Sequence, residues 1–188
     1  MHVIIRRPKK EDIYEIKDVF HDAISYAFEL DKIADREDGI AEEVEKQLAY
    51  LQSDLDSNGM KTYYLLATVE NQIIGTIAYK TELPEDDFVR KNLKFDLKGI
   101  PEITSVYVSS DFQGKGIGSL LFNSILLVLT GKGVRGIYMD GGYQKSIQFW
   151  THKIGNPDTI MKDYWGKGLD NVFWYRDMKD IKVQYTTM

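Results

Sequence analysis

The chain contains no cysteine and only four prolines among its 188 residues. The lack of cysteine excludes disulfide bonds, thiolate metal ligands and a thiol nucleophile. Long apolar runs are also missing, because the longest, residues 120–129, is interrupted by Asn123 and Ser124 and is too short to span a bilayer. Since the first residues lack an apolar signal segment as well, we expect a cytoplasmic protein without a membrane partner.

Positive charge is in short supply, with 24 basic against 29 acidic residues and a net charge of −5. Such a chain repels polyanions on average, which argues against nucleic acid as a partner. The three histidines show no metal-ligand spacing, so we predict no metal site. The length and the apolar content of 43% are typical of one globular domain, which we expect to cover residues 1–188.

The hydrophobic pattern alternates between the period of helices and that of strands. It predicts helices over residues 11–28, 40–55, 117–130 and 145–153, and strands over residues 3–6, 62–69, 73–80, 102–108, 134–139 and 171–178. Residues 71–72 are predicted to form the turn of an antiparallel hairpin. This order of elements predicts an α/β (mixed α+β) fold, in which a central mixed twisted sheet carries helices on both faces.

A glycine-rich turn at residues 113–118 (Gln-Gly-Lys-Gly-Ile-Gly) joins a predicted strand to a predicted helix. The first N–H groups of a helix lack internal partners, and the helix dipole adds partial positive charge there. Glycines let a phosphate approach the backbone, and Lys115 adds a full charge. The turn therefore predicts an anion site. A plain tight turn stays an alternative, since Gly-Lys-Gly recurs at residues 131–133 and 166–168.

Known nucleotide-binding loops fit this turn poorly. The P-loop pattern is absent, and glycines at positions 114, 116 and 118 do not have the dinucleotide spacing. A nucleotide-binding protein is therefore disfavoured, although Asp140 remains open as a ribose partner.

Residues 113–118 match Gln/Arg-x-x-Gly-x-Gly/Ala, the hallmark of the GNAT superfamily of N-acetyltransferases, and residues 103–109 resemble its central strand. The order of elements is similar from residue 3 to about residue 155. The resemblance implies a GNAT-like fold, with acetyl-coenzyme A (acetyl-CoA) as cosubstrate and direct transfer of the acetyl group to an amine. It implies that backbone groups of two runs hold the cosubstrate: Val106, Tyr107 and Val108 in the strand, and Gln113, Gly114, Lys115, Gly116, Ile117 and Gly118 in the turn.

Glu102 is the candidate general base. An amine must lose its proton before it attacks, and histone-type members of the superfamily carry a glutamate at the same offset, 11 residues before Gln113. A carboxyl group on a strand in an apolar cleft should have a raised pKa, which suits this role. The alternative is a solvated acid at the strand end after Pro101.

The proton donor to the leaving thiolate is less clear. Residues 146–150 resemble the family segment Ala-x-x-Phe-Tyr, but Trp150 occupies the position of the tyrosine, and Tyr143 that of the asparagine that usually precedes the segment. We therefore predict Tyr143 as the donor. Water and, more weakly, His152 are alternatives.

The sequence thus predicts an acetyl-CoA-dependent N-acetyltransferase acting on a primary amine of a small molecule or peptide. The alternative is a GNAT-fold module that binds coenzyme A (CoA) or a metabolite with little or no turnover. The acidic residues 85–87 either attract a cationic amine or form a solvated loop. The acceptor stays open, as does the oligomeric state, for which a homodimer is one alternative.

Overall fold

The computed structural model describes residues 1–33, 36–81 and 96–185. The predicted acidic stretch at residues 85–87 lies outside these ranges. The helices and strands are, in chain order, β1 (Ile4–Arg6), α1 (Ile13–Leu30), α2 (Glu37–Ser57), β2 (Thr62–Val69), β3 (Gln72–Lys80), β4 (Glu102–Val108), α3 (Ile117–Gly131), β5 (Gly136–Gly141), α4 (Gln144–Ile154), β6 (Thr159–Met161) and β7 (Asn171–Asp177).

The strands form one seven-stranded sheet in the order β1-β2-β3-β4-β5-β7-β6. All neighbours pair antiparallel except β4 and β5, which the α3 crossover joins in parallel. Helices α1 and α2 cover one face of the sheet, and α3 and α4 cover the other. The predicted mixed sheet with helices on both faces is therefore confirmed.

Two apolar cores hold these layers together. On the α3 side, the apolar stripe of α3, with Leu121, Ile125 and Leu129 fully buried, packs on the sheet. On the other side, Phe20 and Ile24 of α1 pack against Tyr64 of β2. Within the described ranges, no helix combines the length and apolar character that crossing a bilayer requires.

Most elements differ from their predicted bounds by one to three residues, and two further differences concern the hairpin turn and the number of strands. The hairpin turn is Glu70-Asn71, with φ values of 49° and 69°, so β3 begins at Gln72 and the predicted turn was one residue late. Positive φ at both central positions suits the right-handed twist of the flanking strands. Strand β6 was not predicted, because it has only three residues and pairs along one edge of β7.

Candidate functional site

The glycine-rich turn leads directly into α3. Gly114 and Gly116 have φ values of 73° and 83°, in the left-handed region that favours glycine. Gly116 is the N-cap of α3, and no side chain caps this helix end. A Cβ atom built on either glycine would meet no atom within 4 Å. The turn therefore offers open backbone N–H groups at the positive end of a helix, an arrangement that fits a diphosphate.

Gln113 links this turn to two other elements. Its Nε2 donates to the carbonyl oxygen of Val108 at 3.0 Å, and its Oε1 accepts from Nζ of Lys145 at 2.9 Å. Lys145 lies in the first turn of α4, with Nζ 4.9 Å from the ring centre of Tyr26. An exposed ammonium group thus stands beside the predicted anion site. Sequence reasoning missed Lys145, because no local pattern connects it to a residue 32 positions earlier.

Strands β4 and β5 separate towards their C-terminal ends. Their register joins Glu102 to Tyr138, and the N–H of Tyr138 donates to the carbonyl of Pro101 at 3.1 Å. Among the described residues, no further pair joins the two strands. On one side, the backbone of Tyr107 and Val108 pairs with β3, and Val106 lies in the register shift next to these pairs. On the other side, these three sequence-predicted residues border the opening between β4 and β5.

A bulge in β4 lies beside this opening. The register jumps from Thr76–Tyr107 to Ala78–Thr104, and Ser105 has a φ of 54°. The hydroxyl of Ser105 donates to Oε1 of Gln47 at 2.5 Å and accepts from the Tyr64 hydroxyl at 2.7 Å. These buried hydrogen bonds stabilise a backbone conformation that non-glycine residues rarely adopt.

Glu102 lies at the start of β4, where β4 and β5 still pair, and is only 8% exposed. Its Oε2 accepts from the Tyr138 hydroxyl at 2.8 Å and lies 3.5 Å from Nζ of Lys80. Lys80 in turn donates to the hydroxyl of Tyr50 at 3.1 Å. The side chain is therefore not a solvated strand-end acid.

Burial raises the pKa of Glu102 to about 7, and the negative charge of Asp140 adds to this rise. Lys80 and the Tyr138 hydroxyl oppose it by stabilising the ionised form. A carboxyl group with such a pKa exchanges a proton readily near neutral pH, which is what a general base requires.

A stripe of polar side chains on α2 faces the side of the sheet on which Lys80 and Glu102 lie. Its members are Glu43, Gln47, Tyr50 and Asp54. Gln47 donates to Oε1 of Glu43 at 2.8 Å, and the Tyr107 hydroxyl donates to the same oxygen at 3.0 Å. Tyr50, one turn further along α2, accepts a hydrogen bond from Nζ of Lys80. Asp54, one turn beyond Tyr50, accepts from the backbone N–H of Tyr64 in β2. Sequence reasoning missed this stripe, although its spacing (43, 47, 50, 54) repeats one helical face.

Tyr143 is the N-cap residue of α4, and its ring lies 5.9 Å from that of Phe28. Burial and the charge of Glu43 raise the pKa of its hydroxyl. Tyr143 and Tyr107 both pack against the core on the α1–α2 side of the sheet. Trp150 is 4% exposed and packs edge-on against Phe122, so its indole belongs to the core.

Asp140 lies near the end of β5, two residues after Tyr138 and on the same face of the sheet. Its Oδ2 accepts from Nδ2 of Asn171 in β7 at 3.0 Å. In the part of the chain that the structure describes, no group of three or more metal-ligating side chains occurs.

A family model described as the acetyltransferase (GNAT) family matches residues 21–155. This match contains the glycine-rich turn, β4, β5 and the whole of α4. A comparison with curated protein sequences finds no match.

Several solved structures share the fold. PaiA N-acetyltransferase from Thermoplasma acidophilum, in complex with coenzyme A, is 19% identical with a TM-score of 0.65 over 94% of this chain and 99% of its own. An N-acetyltransferase from Staphylococcus aureus Mu50 is 17% identical, with a TM-score of 0.66 over 95% and 99%. YncA from Salmonella typhimurium, with acetyl-CoA, is 17% identical, with a TM-score of 0.65 over 100% and 98%.

Proposed function

The chain belongs to the GNAT family of acetyltransferases, and from that premise we propose that it transfers an acetyl group to a primary amine of a small molecule or peptide. Acetyl-CoA is the acetyl donor of this family, so the predicted cosubstrate is confirmed. The observation that carries the amine proposal is Glu102, a buried carboxyl group with a pKa of about 7 at the start of β4, where β4 and β5 still pair.

The turn at residues 113–118 would hold the diphosphate of the cosubstrate. Its two left-handed glycines and the uncapped start of α3 support this assignment. Lys115 and Lys145 would add positive charge at the rim. Backbone groups of Val106, Tyr107 and Val108 would orient the remainder of the cosubstrate along the free edge of β4, with the Val108 carbonyl shared with Gln113.

Bound acetyl-CoA supplies an activated thioester, whose acetyl group passes to the amine nitrogen as the carbon–sulfur bond breaks. Glu102 accepts the proton that the amine must lose, directly or through a water molecule. Lys80 and Tyr138 fix the carboxylate by contacting the same oxygen. This leaves the other oxygen of Glu102 for the incoming proton.

Tyr143 would protonate the departing thiolate. Its phenol is the acid that the sequence offers in place of the family tyrosine, because Trp150 is part of the core. A phenol with a raised pKa keeps its proton at neutral pH, as a proton donor must.

The tryptophan at position 150 also favours a second function. A chain with Trp150 where the family has its tyrosine could bind CoA with little or no turnover. We retain this binding function as the alternative.

We further propose that residues 1–188 form one domain and that the protein is cytoplasmic.

Release of free thiol from acetyl-CoA tests the proposal, with amino acids, polyamines, aminoglycosides and peptide N-termini as acceptors. We expect amine-dependent release, together with a rise in melting temperature on addition of acetyl-CoA but not ATP. Stabilisation without release for any amine would favour the binding module. If acetyl-CoA gives neither stabilisation nor release, both functions are wrong.

A further inference from the structure

Asp22 of α1 is tied to the chain segment that leads from β4 into the glycine-rich turn. Its Oδ2 accepts from the hydroxyl of Ser109 at 2.8 Å and from the backbone N–H of Ser110 at 2.7 Å. Its Oδ1 accepts from the hydroxyl of Ser110 at 2.9 Å. One carboxylate thus joins a helix to two consecutive loop residues that lie 87 and 88 positions away in the sequence.

These two serines determine how the chain enters the turn. The N–H of Ser109 donates to the carbonyl of Ile74 at 3.0 Å, which continues the pairing of β4 with β3. A single 3₁₀ turn begins at Ser110. Its hydrogen bonds run from the N–H of Phe112 to Ser109 at 2.8 Å and from the N–H of Gln113 to Ser110 at 3.3 Å. Because Gln113 is the first residue of the glycine-rich turn, a shift of the two serines would move the start of that turn.

Asp22 also brings a negative charge close to the site proposed for a diphosphate. Burial favours the neutral carboxyl group, but the hydrogen bonds from Ser110 and Ser109 outweigh it, so that the pKa of Asp22 lies below its usual value. The group is therefore ionised at neutral pH, and its charge repels a phosphate. A favourable effect of Asp22 on cosubstrate binding can then come only from the geometry that it imposes.

We propose that Asp22 is a positioning residue for acetyl-CoA, which holds Ser109 and Ser110 so that the open N–H groups of the turn are aligned before the diphosphate binds. This inference rests on the proposed function, because it assumes that residues 113–118 hold the diphosphate. A site that is already aligned loses less conformational entropy when its ligand binds. The contact is strong enough to provide this alignment, since hydrogen bonds to an ionised acceptor are about twice as strong as neutral ones.

Calorimetric titration with CoA compares Asp22→Asn with wild type. The amide keeps the size of the side chain but offers one acceptor oxygen where the carboxylate offers two, so the three hydrogen bonds cannot all be kept. We expect the dissociation constant to rise about tenfold. Removal of a negative charge alone would lower it, so charge and positioning predict changes of opposite sign. A smaller folded fraction would change the stoichiometry of the titration and not the dissociation constant.

Asp18→Asn is the matched control. Asp18 is exposed, lies one turn before Asp22 on α1 and lines the same surface depression. Its substitution removes the same charge and leaves the hydrogen bonds to the two serines in place, so CoA should bind as in wild type or slightly more tightly. Ser110→Ala completes a double-mutant cycle. It should weaken CoA binding severalfold in the wild-type background and have little further effect in Asp22→Asn.

Steady-state assays with two acetyl donors separate positioning from a general loss of structure. In Asp22→Asn, kcat/KM for acetyl-CoA should fall about tenfold through KM, whereas kcat/KM for S-acetylpantetheine, which carries no diphosphate, should not change. Equal losses for the two donors, or CoA binding in Asp22→Asn as tight as in wild type or tighter, would overturn the inference alone. A wild-type protein that does not bind CoA would overturn the proposed function and this inference with it. The calorimetric comparison decides the inference even where no amine is acetylated.

Discussion

The glycine-rich turn and the Glu102 cluster (Tyr50, Lys80, Glu102 and Tyr138) are built in different ways. The turn uses the backbone of six consecutive residues, and a side chain at Gly114 or Gly116 would be strained because both have positive φ. The cluster uses side chains from α2, β3, β4 and β5, which are far apart in sequence. A site made of one continuous backbone segment tolerates variation elsewhere, whereas a site made of scattered side chains depends on each supporting contact.

The difference also corresponds to two kinds of binding, that of the cosubstrate and that of the acceptor. Phosphate groups are alike in every acetyl-CoA molecule, so an uncapped helix start suffices to bind them. Acceptors differ in shape and charge, and their recognition needs particular side chains. We therefore expect substitutions in the Glu102 cluster to change the rate of acetyl transfer and the choice of acceptor. Substitutions in the turn should change the affinity for the cosubstrate.

Glu102→Gln should have the largest effect. Loss of the general base is expected to lower kcat/KM for the amine about 100-fold, with little change in affinity for acetyl-CoA. Wild-type kcat/KM should rise with pH and level off above about 7, where Glu102 becomes ionised, and this rise should disappear in the variant. Steady-state thiol release across the pH range measures both.

Stability provides the control for this variant. A carboxyl group whose pKa is raised in the folded state contributes stability that is present at low pH and is lost as pH rises through about 7. Urea unfolding should therefore show wild type losing stability relative to Glu102→Gln between about pH 5 and pH 8. Unchanged activity in a folded variant would show that another group, or water alone, takes the proton.

The sequence predicted most of the fold, because hydrophobic periodicity and the glycine-rich turn are local signals. Strands 62–69 and 102–108 were predicted with the bounds that the structure gives. Glu102 could be selected by its spacing from Gln113. Its contacts with Lys80 and Tyr138 could not be predicted, because they depend on which strands become neighbours in the sheet. Lys145 was missed beside the turn for the same reason, and the roles of Glu102 and Tyr143 stay predictions.

Ser105→Ala tests how far the bulge in β4 depends on the hydrogen bonds of the Ser105 side chain. Removing the hydroxyl leaves the buried hydroxyl of Tyr64 and the buried amide of Gln47 without their shared partner. We expect the free energy of unfolding to fall by about 1–3 kcal/mol. Ser124→Ala is the control, because its hydroxyl bonds only within α3, to Leu120, and alanine favours a helix. Urea denaturation that gives equal losses would contradict a special role of the bulge.

The two ends of α3 provide a matched pair of glycines. Gly116→Ala places a side chain at a φ of 83°, at the N-cap of α3. We expect strain there to displace the open N–H groups and to weaken acetyl-CoA binding about tenfold. Gly131→Ala lies at the C-terminal end of the same helix, where a Cβ would meet no atom within 4 Å, and should bind like wild type. Calorimetric dissociation constants that change equally would show that the turn does not hold the diphosphate.

Lys145→Met should have the smallest effect, because an exposed charge adds modestly to a site made of backbone N–H groups. Lys145 is tied to Gln113 by a 2.9 Å hydrogen bond, which leaves two of its three N–H donors for a phosphate. We expect the dissociation constant for CoA to rise about threefold at low salt, with a shallower salt dependence. Binding of pantetheine, which carries no phosphate, should not change, and Lys61→Met, an exposed lysine elsewhere, should behave like wild type. Equal weakening of CoA and pantetheine would mean that Lys145 acts by positioning α4, in which case the turn alone supplies the electrostatic attraction for the cosubstrate.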